Sequence, residues 1–402
     1  MNGTAKPPMR IASLIDKIEP FYVMEVAKAA AKLAHEVAHT DRPMIFLNIG
    51  EPDFTAPPLV QEAAARAVRA GKTQYTQATG LEPLRERISQ WYAQRFGVDV
   101  PARRIVVTAG ASAALQLACL CLIEQGEQIL MPDPSYPCNC HFVTVAQGEP
   151  IRIPATAAER FQLTAAKIEE RWGSKSRGVL LASPSNPTGT SIHPDELRRI
   201  HDFVGGKGGI TLLDEIYLGL SYDETFGHTG LAIDDQVVSI NSFSKYFNMT
   251  GWRLGWVVAP EPLAHAIEKL AQNLFICPSA VAQHAALACF EPESLAEYER
   301  RRAEFRARRD WFIPQLNAMG LTVPVMPDGA FYAWADCTEA CRKLGVKDSW
   351  EFTFEIMKRA HVAVTPGRDF GVAETGNFIR FSTASSMEHL QEAVQRLKAV
   401  LG

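Results

Sequence analysis

Short, uninterrupted apolar runs recur through the first two thirds of the chain, and each is followed by polar and turn residues. They include GVLLA at residues 178–182, ITLLD at 210–214 and VVSI at 237–240. Segments with the spacing of amphipathic helices, such as PDELRRIHDFVGG, lie between them. This alternation predicts a mainly parallel sheet covered by helices, and the continuous apolar strands predict burial on both faces.

The pattern changes toward both ends of the chain. Residues 22–39 are alanine-rich with helical spacing, and a long charged helix is predicted from about Ser294 to Leu316. After it, strands such as GAFYAWAD and NFIRFST alternate with helices. We therefore predict an α/β protein with an N-terminal arm and helix at 1–45 that join the small domain, a large domain at 46–293, and a smaller α+β domain at 294–402. The segment MNGTAKPP is expected to fray.

Composition narrows the class of protein without naming one. The 402 residues are 47% hydrophobic and 21% charged, with a formal net charge of −4. These values are ordinary for a soluble globular chain and give no overall positive field for nucleic acid or acidic membranes. The eight cysteines lack the spacing of zinc sites, so we expect reduced thiols and no metal. Because the N-terminus has no apolar secretory segment and no run reaches about 20 apolar residues, we expect a cytoplasmic location.

Polar residues with chemical potential follow the predicted strands, and ligands bind at this edge of such sheets. In TAGAS, a strand stops at Gly110 and a helix begins near Ser112. The backbone N–H groups of Ala111 and Ser112 could bind an anion at the helix start, although a tight turn needs the same small residues. In PSYP, Tyr136 could stack on a planar ligand or pack as an ordinary core residue.

Two further strand ends carry an amide and a carboxylate. Asn186 lies in the rigid loop SPSNPTGT, where it could fix a ligand oxygen or cap a turn, and the Asn186–Pro187 bond is a candidate for the cis form. Asp214 ends a buried strand in LLDEIY, with Tyr217 three residues later. A buried carboxylate is costly unless a cation meets it, so Asp214 predicts either a charged ligand group or a helix cap.

Lys245 stands in NSFSK, after a predicted strand and beside the hydroxyls of Ser242 and Ser244. Desolvation and neighbouring cations lower the pKa of a lysine and make its amine nucleophilic toward carbonyls, whereas an isolated lysine is ordinarily a surface residue. An anion cradle, a stacking ring, a buried carboxylate and such a lysine together describe a site for pyridoxal 5′-phosphate (PLP).

The motifs SNPTGT, DEIY, SFSKYFNMTGWRLGW and FIRFS, in this order and spacing, resemble those of the class I/II aminotransferases, which are fold type I PLP enzymes. The resemblance extends from about LNIGEPDF to FIRFS, nearly the whole chain. It implies a large PLP-binding domain with a mainly parallel sheet sandwiched by helices, and a smaller α+β domain. The implied reaction moves the amino group of an L-amino acid to a 2-oxo acid in a ping-pong cycle.

By this resemblance, the catalytic residues are Lys245, Asp214 and Tyr217. Lys245 is expected to form the Schiff base with PLP and to move a proton between Cα and C4′. Asp214 is expected to keep the pyridinium nitrogen protonated, Tyr217 and Asn186 to hydrogen-bond the phenolate oxygen, and Tyr136 to stack on the ring. The residues expected around the phosphate are Gly110, Ala111, Ser112, Ser242, Ser244 and Arg253.

The resemblance also implies the substrate contacts. Arg380 in FIRFS is expected to bind the α-carboxylate, a role that suits a planar and permanently charged fork, and Gly50 and Asn186 are expected to assist. The residues expected at the pocket mouth are Phe21, Tyr22 and Phe331 or Tyr332. These residues favour apolar or aromatic substrate side chains, and no motif assigns a second arginine to a distal carboxylate, although Arg152 or the charged helix could supply one.

The resemblance further implies a homodimer. Tyr75, in TQYTQATG, matches a tyrosine that reaches the phosphate of the neighbouring subunit. From composition alone, Tyr75 would be a packed aromatic residue.

Two alternative functions stay open at this point. Carbon–sulfur β-lyases share the fold and most of these motifs, so the reaction could be an elimination that needs no oxo acid. A nucleic-acid-binding regulator is supported only by ERRRAEFRARRD, whose interleaved charges predict a solvated helix with i,i+4 ion pairs instead.

Overall fold

A computed structural model describes residues 9–20 and 22–402. The segment MNGTAKPP and the predicted pocket-mouth residue Phe21 lie outside the described residues. The helices are α1 (Val23–Val37), α2 (Pro58–Arg69), α3 (Glu82–Phe96), α4 (Ala111–Leu122), α5 (Cys138–Val145), α6 (Ala165–Arg171), α7 (Pro194–Gly206), α8 (Glu261–Leu274), α9 (Ala280–Ala286), α10 (Pro292–Ala318), α11 (Thr338–Leu344), α12 (Ser349–Ala360) and α13 (Met387–Leu401).

The strands form one large and two small sheets. They are β1 (Ile45–Phe46), β2 (Ile105–Thr108), β3 (Gln128–Asp133), β4 (Glu149–Pro154), β5 (Ser176–Ala182), β6 (Ile210–Asp214), β7 (Val238–Ser242), β8 (Gly255–Val258), β9 (Tyr332–Asp336), β10 (Val362–Ala363), β11 (Thr365–Pro366) and β12 (Phe378–Ser382). None of the described helices combines the length and the apolar character that crossing a membrane requires.

The large sheet has the order β2-β8-β7-β6-β5-β3-β4. Its strands run parallel except β8, which is antiparallel to both β2 and β7. Every residue of β6 and β7 is buried, and separate apolar clusters cover the two faces of the sheet. The predicted α/β fold with a mainly parallel, doubly covered sheet is confirmed.

The small sheets join the two ends of the chain. Strands β11, β12 and β9 form an antiparallel sheet that packs with α10, α12 and α13 around a second apolar core. Strand β1 pairs in parallel with β10, so residues 45–46 are tied to residues 362–363. The β1 strand therefore spans the boundary predicted between residues 45 and 46, and the three-part division stays a prediction.

Helix α10 corrects one expectation. The predicted intrahelical ion pairs are present, because Arg300 contacts Glu297 at 2.8 Å and Glu304 at 3.1 Å. However, three arginines of this helix are buried, namely Arg301, Arg308 and Arg309. Arg308 is only 2% exposed and its Nη1 lies 2.8 Å from Oδ1 of Asp53. The helix is therefore not fully solvated, because some of its arginine side chains are buried against the rest of the protein.

Candidate active site

A cavity of about 550 Å³ lies at the carboxyl edge of the large sheet. Strands β5, β6 and β7 run parallel, so their final residues reach the same edge, and residues from the N-terminal helix and the small sheet complete the wall. The predicted site residues that line it are Gly50, Ala111, Ser112, Tyr136, Asn186, Asp214, Tyr217, Ser242, Ser244, Lys245, Arg253 and Arg380. The structure therefore brings together most of the residues that were widely separated in the sequence.

One end of the cavity suits an anion. Helix α4 begins at Ala111, and the residue before it, Gly110, has a positive φ of 85°. A Cβ atom on Gly110 would lie only 2.6 Å from Nη2 of Arg253, so the glycine lets the guanidinium approach the helix start. The hydroxyl of Ser242 accepts a hydrogen bond from the backbone N–H of Ser244 at 3.0 Å. A helix N-terminus, a guanidinium and two hydroxyl residues together fit a phosphate group.

Lys245 follows β7 and is directed to the middle of the cavity. Its Nζ donates a hydrogen bond to the backbone carbonyl of Gly50 at 2.6 Å. Burial lowers the pKa of Lys245 to about 8, and the nearby guanidinium of Arg380 adds to this effect. A substantial share of this amine is therefore neutral near pH 8, as a nucleophilic lysine requires.

Asp214 is the last residue of β6 and is 5% exposed. Its Oδ1 accepts a hydrogen bond from the backbone N–H of Ile216 at 3.1 Å. Burial raises the pKa of Asp214 to about 6, although this hydrogen bond and the charge of Lys245 act in the opposite direction. Asp214 lines the cavity, so its carboxylate can accept from a cationic ligand group there.

Arg380 is held by hydrogen bonds from three directions. Its Nη1 donates to Oδ1 of Asn186 at 2.9 Å, and its Nη2 donates to the carbonyl of Asn48 at 2.7 Å and to the hydroxyl of Thr365 at 3.2 Å. The bond from Arg380 occupies the amide oxygen of Asn186 and leaves its amide nitrogen as a donor. The Asn186–Pro187 bond is cis, as predicted.

Aromatic rings surround these charged groups. The guanidinium of Arg380 lies 4.6 Å from the ring centre of Tyr332 and 4.9 Å from that of Phe370. The hydroxyl of Tyr332 is 2.7 Å from that of Tyr217, and burial raises the pKa of Tyr217. Tyr332 was predicted only as one of two candidates for the pocket mouth, but it contacts two central residues of the site.

Several predicted residues lie outside the cavity lining. Tyr22 packs against Trp350, with ring centres 6.1 Å apart, and under the guanidinium of Arg368 at 4.2 Å. Tyr75 is 80% exposed. Arg152, considered as the second arginine for a distal carboxylate, does not line the cavity and donates to Sγ of Cys140 at 3.0 Å.

The structure adds site residues that the motifs did not identify. Asn48 and Thr365 hold Arg380, and the hydroxyl of Thr365 also donates to the Asn48 carbonyl at 3.1 Å. Glu51 and Met24 also line the cavity. A partial signal was available for Asn48 and Glu51, since both lie within two residues of Gly50 in LNIGEPDF, but nothing in the sequence near Thr365 indicated a site.

Asp369 connects Arg380 to the start of helix α1. Burial raises the pKa of Asp369 to about 6, while the charge of Arg380 and the backbone N–H groups of Tyr22 and Val23 favour its ionised form. The carboxylate therefore lies near the N-terminus of α1, where no side chain of the helix itself acts as a cap. Val23 lines the cavity, so Asp369 helps to position one wall of the site.

Comparisons with known proteins agree with this geometry. The family described as aminotransferase class I and II matches residues 42–397. A valine–pyruvate aminotransferase from Mycobacterium tuberculosis is 36% identical over 94% of this chain and 96% of the relative. The crystal structure of an aminotransferase from the same organism is 35% identical and superposes with a TM-score of 0.91 over 98% of this chain and 99% of the other.

A further solved structure, named for a different amino acid, is also similar to this chain. The structure of an aspartate aminotransferase from Thermus thermophilus with maleate is 27% identical and has a TM-score of 0.89, covering 98% of this chain and 100% of the other. These comparisons favour transamination over the β-lyase and regulator alternatives. The chain therefore belongs to the class I and II aminotransferases, and it is a PLP-dependent transaminase that moves an amino group from an L-amino acid to a 2-oxo acid.

Proposed function

We propose that Lys245 is the residue that binds the aldehyde of PLP and carries out the proton transfers of this reaction. The observation that carries the proposal is the half-buried Lys245, whose amine lies in the same cavity as Asp214, with Arg253 and the start of α4 also on its wall. When bound, PLP supplies an electron-accepting ring that stabilises the negative charge released when the substrate Cα–H bond breaks.

The remaining cofactor contacts follow from the same geometry. Asp214 would face the pyridinium nitrogen, whose positive charge would offset the cost of burying the carboxylate. Tyr217 and the free amide nitrogen of Asn186 would donate to the phenolate oxygen, and Tyr136 would lie against the ring. The phosphate group would be held by Gly110, Ala111, Ser112, Ser242, Ser244 and Arg253.

Arg380 is the proposed partner of the substrate α-carboxylate. It is buried, already oriented by Asn186, Asn48 and Thr365, and flanked by the rings of Tyr332 and Phe370. The amino group of the substrate would then face Lys245, whose Nζ contacts the carbonyl of Gly50. Lys245 would take the proton from Cα and return it at C4′ of the cofactor.

The second subunit is part of the proposal. Tyr75 is 80% exposed, and two apolar residues of another segment, Leu274 and Ile276, are each 51% exposed. The backbone N–H of Thr76 lies 3.4 Å from Sγ of Cys277, so these two segments are adjacent. We propose that a second copy of the chain covers this apolar surface and that Tyr75 reaches the phosphate of the partner's cofactor. Sedimentation analysis should show a dimer. The Tyr75→Phe variant should bind PLP more weakly but should still sediment as a dimer.

We also propose that the protein works in the cytoplasm. Its eight cysteines are unpaired in the structure, and burial raises the pKa of the Cys119 and Cys289 thiols to about 12. Such thiols are inert and suit a reducing compartment. Fractionation of cells that produce the protein would test this location.

The catalytic assignment is tested with a matched pair of lysine variants. The native holoenzyme should absorb visible light and lose that band when an amino donor is added. Lys245→Ala should lose transaminase turnover, by at least about 10⁴-fold if the residue is both the covalent anchor and the proton carrier. Lys269→Ala, which changes an exposed lysine of α8, should keep native turnover. Full turnover by Lys245→Ala would refute the assignment.

A further inference from the structure

Each positively charged residue of the cavity already has a proposed role in binding the cofactor or the α-carboxylate. The positively charged side chains among its described lining residues are Lys245, Arg253 and Arg380. In the proposed function they bind the aldehyde, the phosphate and the α-carboxylate. Within the described chain, no cationic residue of the wall is left for a second carboxylate on the substrate side chain.

The negative charge of Glu51 also does not favour a substrate with a second carboxylate. Glu51 also lines the cavity and accepts a hydrogen bond from the hydroxyl of Thr250. It follows Gly50 in the chain, whose carbonyl accepts the hydrogen bond from Lys245. Glu51 therefore adds negative charge to the cavity wall, where it offers no attraction to a distal carboxylate on the substrate side chain.

The position of the substrate side chain follows from two backbone contacts. Arg380 donates to the carbonyl of Asn48, and Lys245 donates to the carbonyl of Gly50. An amino acid with its carboxylate on Arg380 and its amino group toward Lys245 therefore spans the segment 48–50. The residue between these two carbonyls is Ile49, which lines the cavity.

Apolar surface is available at that position. Ile49 is 48% exposed, and Met24 of helix α1 is 54% exposed while lining the same cavity. Val23 and Ala27 extend this apolar face along α1. Large apolar side chains left open at the wall of a binding cavity favour a ligand that covers them.

We propose that this transaminase takes amino acids with uncharged, apolar side chains, and that Ile49 and Met24 form the contact surface for that side chain. The inference rests on the proposed roles of Lys245, Arg253 and Arg380. Each methylene that the substrate places on this surface should raise kcat/KM by about fourfold, corresponding to about 0.8 kcal/mol per buried CH₂.

The test measures kcat/KM for the donor half-reaction of the native holoenzyme, followed by the loss of its visible band. Alanine, 2-aminobutyrate and norvaline should show the stepwise increase. Leucine and aspartate form a matched pair of similar shape, and leucine should exceed aspartate by at least about tenfold. Equal rates or a preference for aspartate would overturn the inference. A cation supplied by a partner subunit would give this result.

Two methionine variants test the assigned surface. Met24→Ala should lower the leucine-to-alanine ratio of kcat/KM by about tenfold, because the contact that it removes is available only to the larger side chain. Met326→Ala changes a methionine that is 48% exposed and lies outside the cavity lining, so its ratio should match the native one. An unchanged ratio in Met24→Ala would overturn the role of α1. If no amino donor discharged the band, the proposed function would fail instead, so the two failures are distinguishable.

Discussion

Replacing Asp214 with asparagine should stabilise the cofactor-free protein while weakening its hold on PLP. Burial raises the pKa of Asp214 from 3.8 to about 6. Because one pKa unit corresponds to about 1.36 kcal/mol, the buried charge costs about 3 kcal/mol of folding stability at pH 8. The asparagine has the same shape, and its amide oxygen can still accept the hydrogen bond that Ile216 donates at 3.1 Å.

The pH dependence of this effect has a definite sign. Between about pH 4 and pH 6 the unfolded chain releases the proton of Asp214 while the folded chain keeps it, so the carboxyl group destabilises the fold increasingly as the pH rises. Above the folded pKa of about 6 the full cost is present. The advantage of Asp214→Asn over the native chain should therefore grow by about 1.4 kcal/mol between pH 5 and pH 8.

Urea unfolding of the cofactor-free proteins at pH 5 and pH 8, at one protein concentration, measures this difference. Asp202→Asn, which changes an exposed aspartate of α7, is the control and should show no such growth. Added PLP should then stabilise the native protein more than Asp214→Asn, because a neutral amide does not balance the charge of the protonated ring nitrogen. The reasoning is refuted if Asp214→Asn is no more stable than the native chain at pH 8. It is also refuted if PLP stabilises the variant as much as it stabilises the native chain.

Three further substitutions test separate contacts. Arg380→Lys loses the forked hydrogen bonding of the guanidinium and should lower kcat/KM for amino donors by about 10²–10³-fold in the half-reaction assay, whereas a change below tenfold would contradict its role. Asp53→Ala removes the carboxylate 2.8 Å from the buried Arg308 and should lower the free energy of unfolding by about 2–3 kcal/mol; an unchanged urea midpoint would contradict it. Asp369→Ala removes the carboxylate near the start of α1 and should speed hydrogen exchange of residues 23–26 by about tenfold, with Asp369→Asn intermediate and native exchange as the contrary result.

The sequence predicts the large sheet and the centre of the site for one physical reason. Parallel strands place their carboxyl ends at one edge, so Asp214 after β6 and Lys245 after β7 had to lie near each other once the alternation of strands and helices was recognised. Apolar strand runs also predict burial on both faces, as β6 and β7 confirm.

Other contacts could not be predicted because they depend on how distant segments meet. The hydroxyl of Thr365 donates to the carbonyl of Asn48 across 317 positions, and strand β1, which pairs with β10, is only two residues long. Neither contact has a local pattern. The charge pattern of α10 likewise indicates ion pairs within the helix, but burial of Arg308 depends on Asp53, which belongs to a distant loop.

The most direct test of the account identifies the lysine that binds the cofactor. The PLP-loaded protein is reduced with borohydride, digested and analysed by peptide mass spectrometry, which locates the covalent pyridoxyl group. The account predicts this group on Lys245 alone, because its half-buried amine, with a pKa lowered to about 8, faces the cavity that holds Asp214 and Arg380. A pyridoxyl group on any other lysine, or its absence from Lys245, would contradict the central claim.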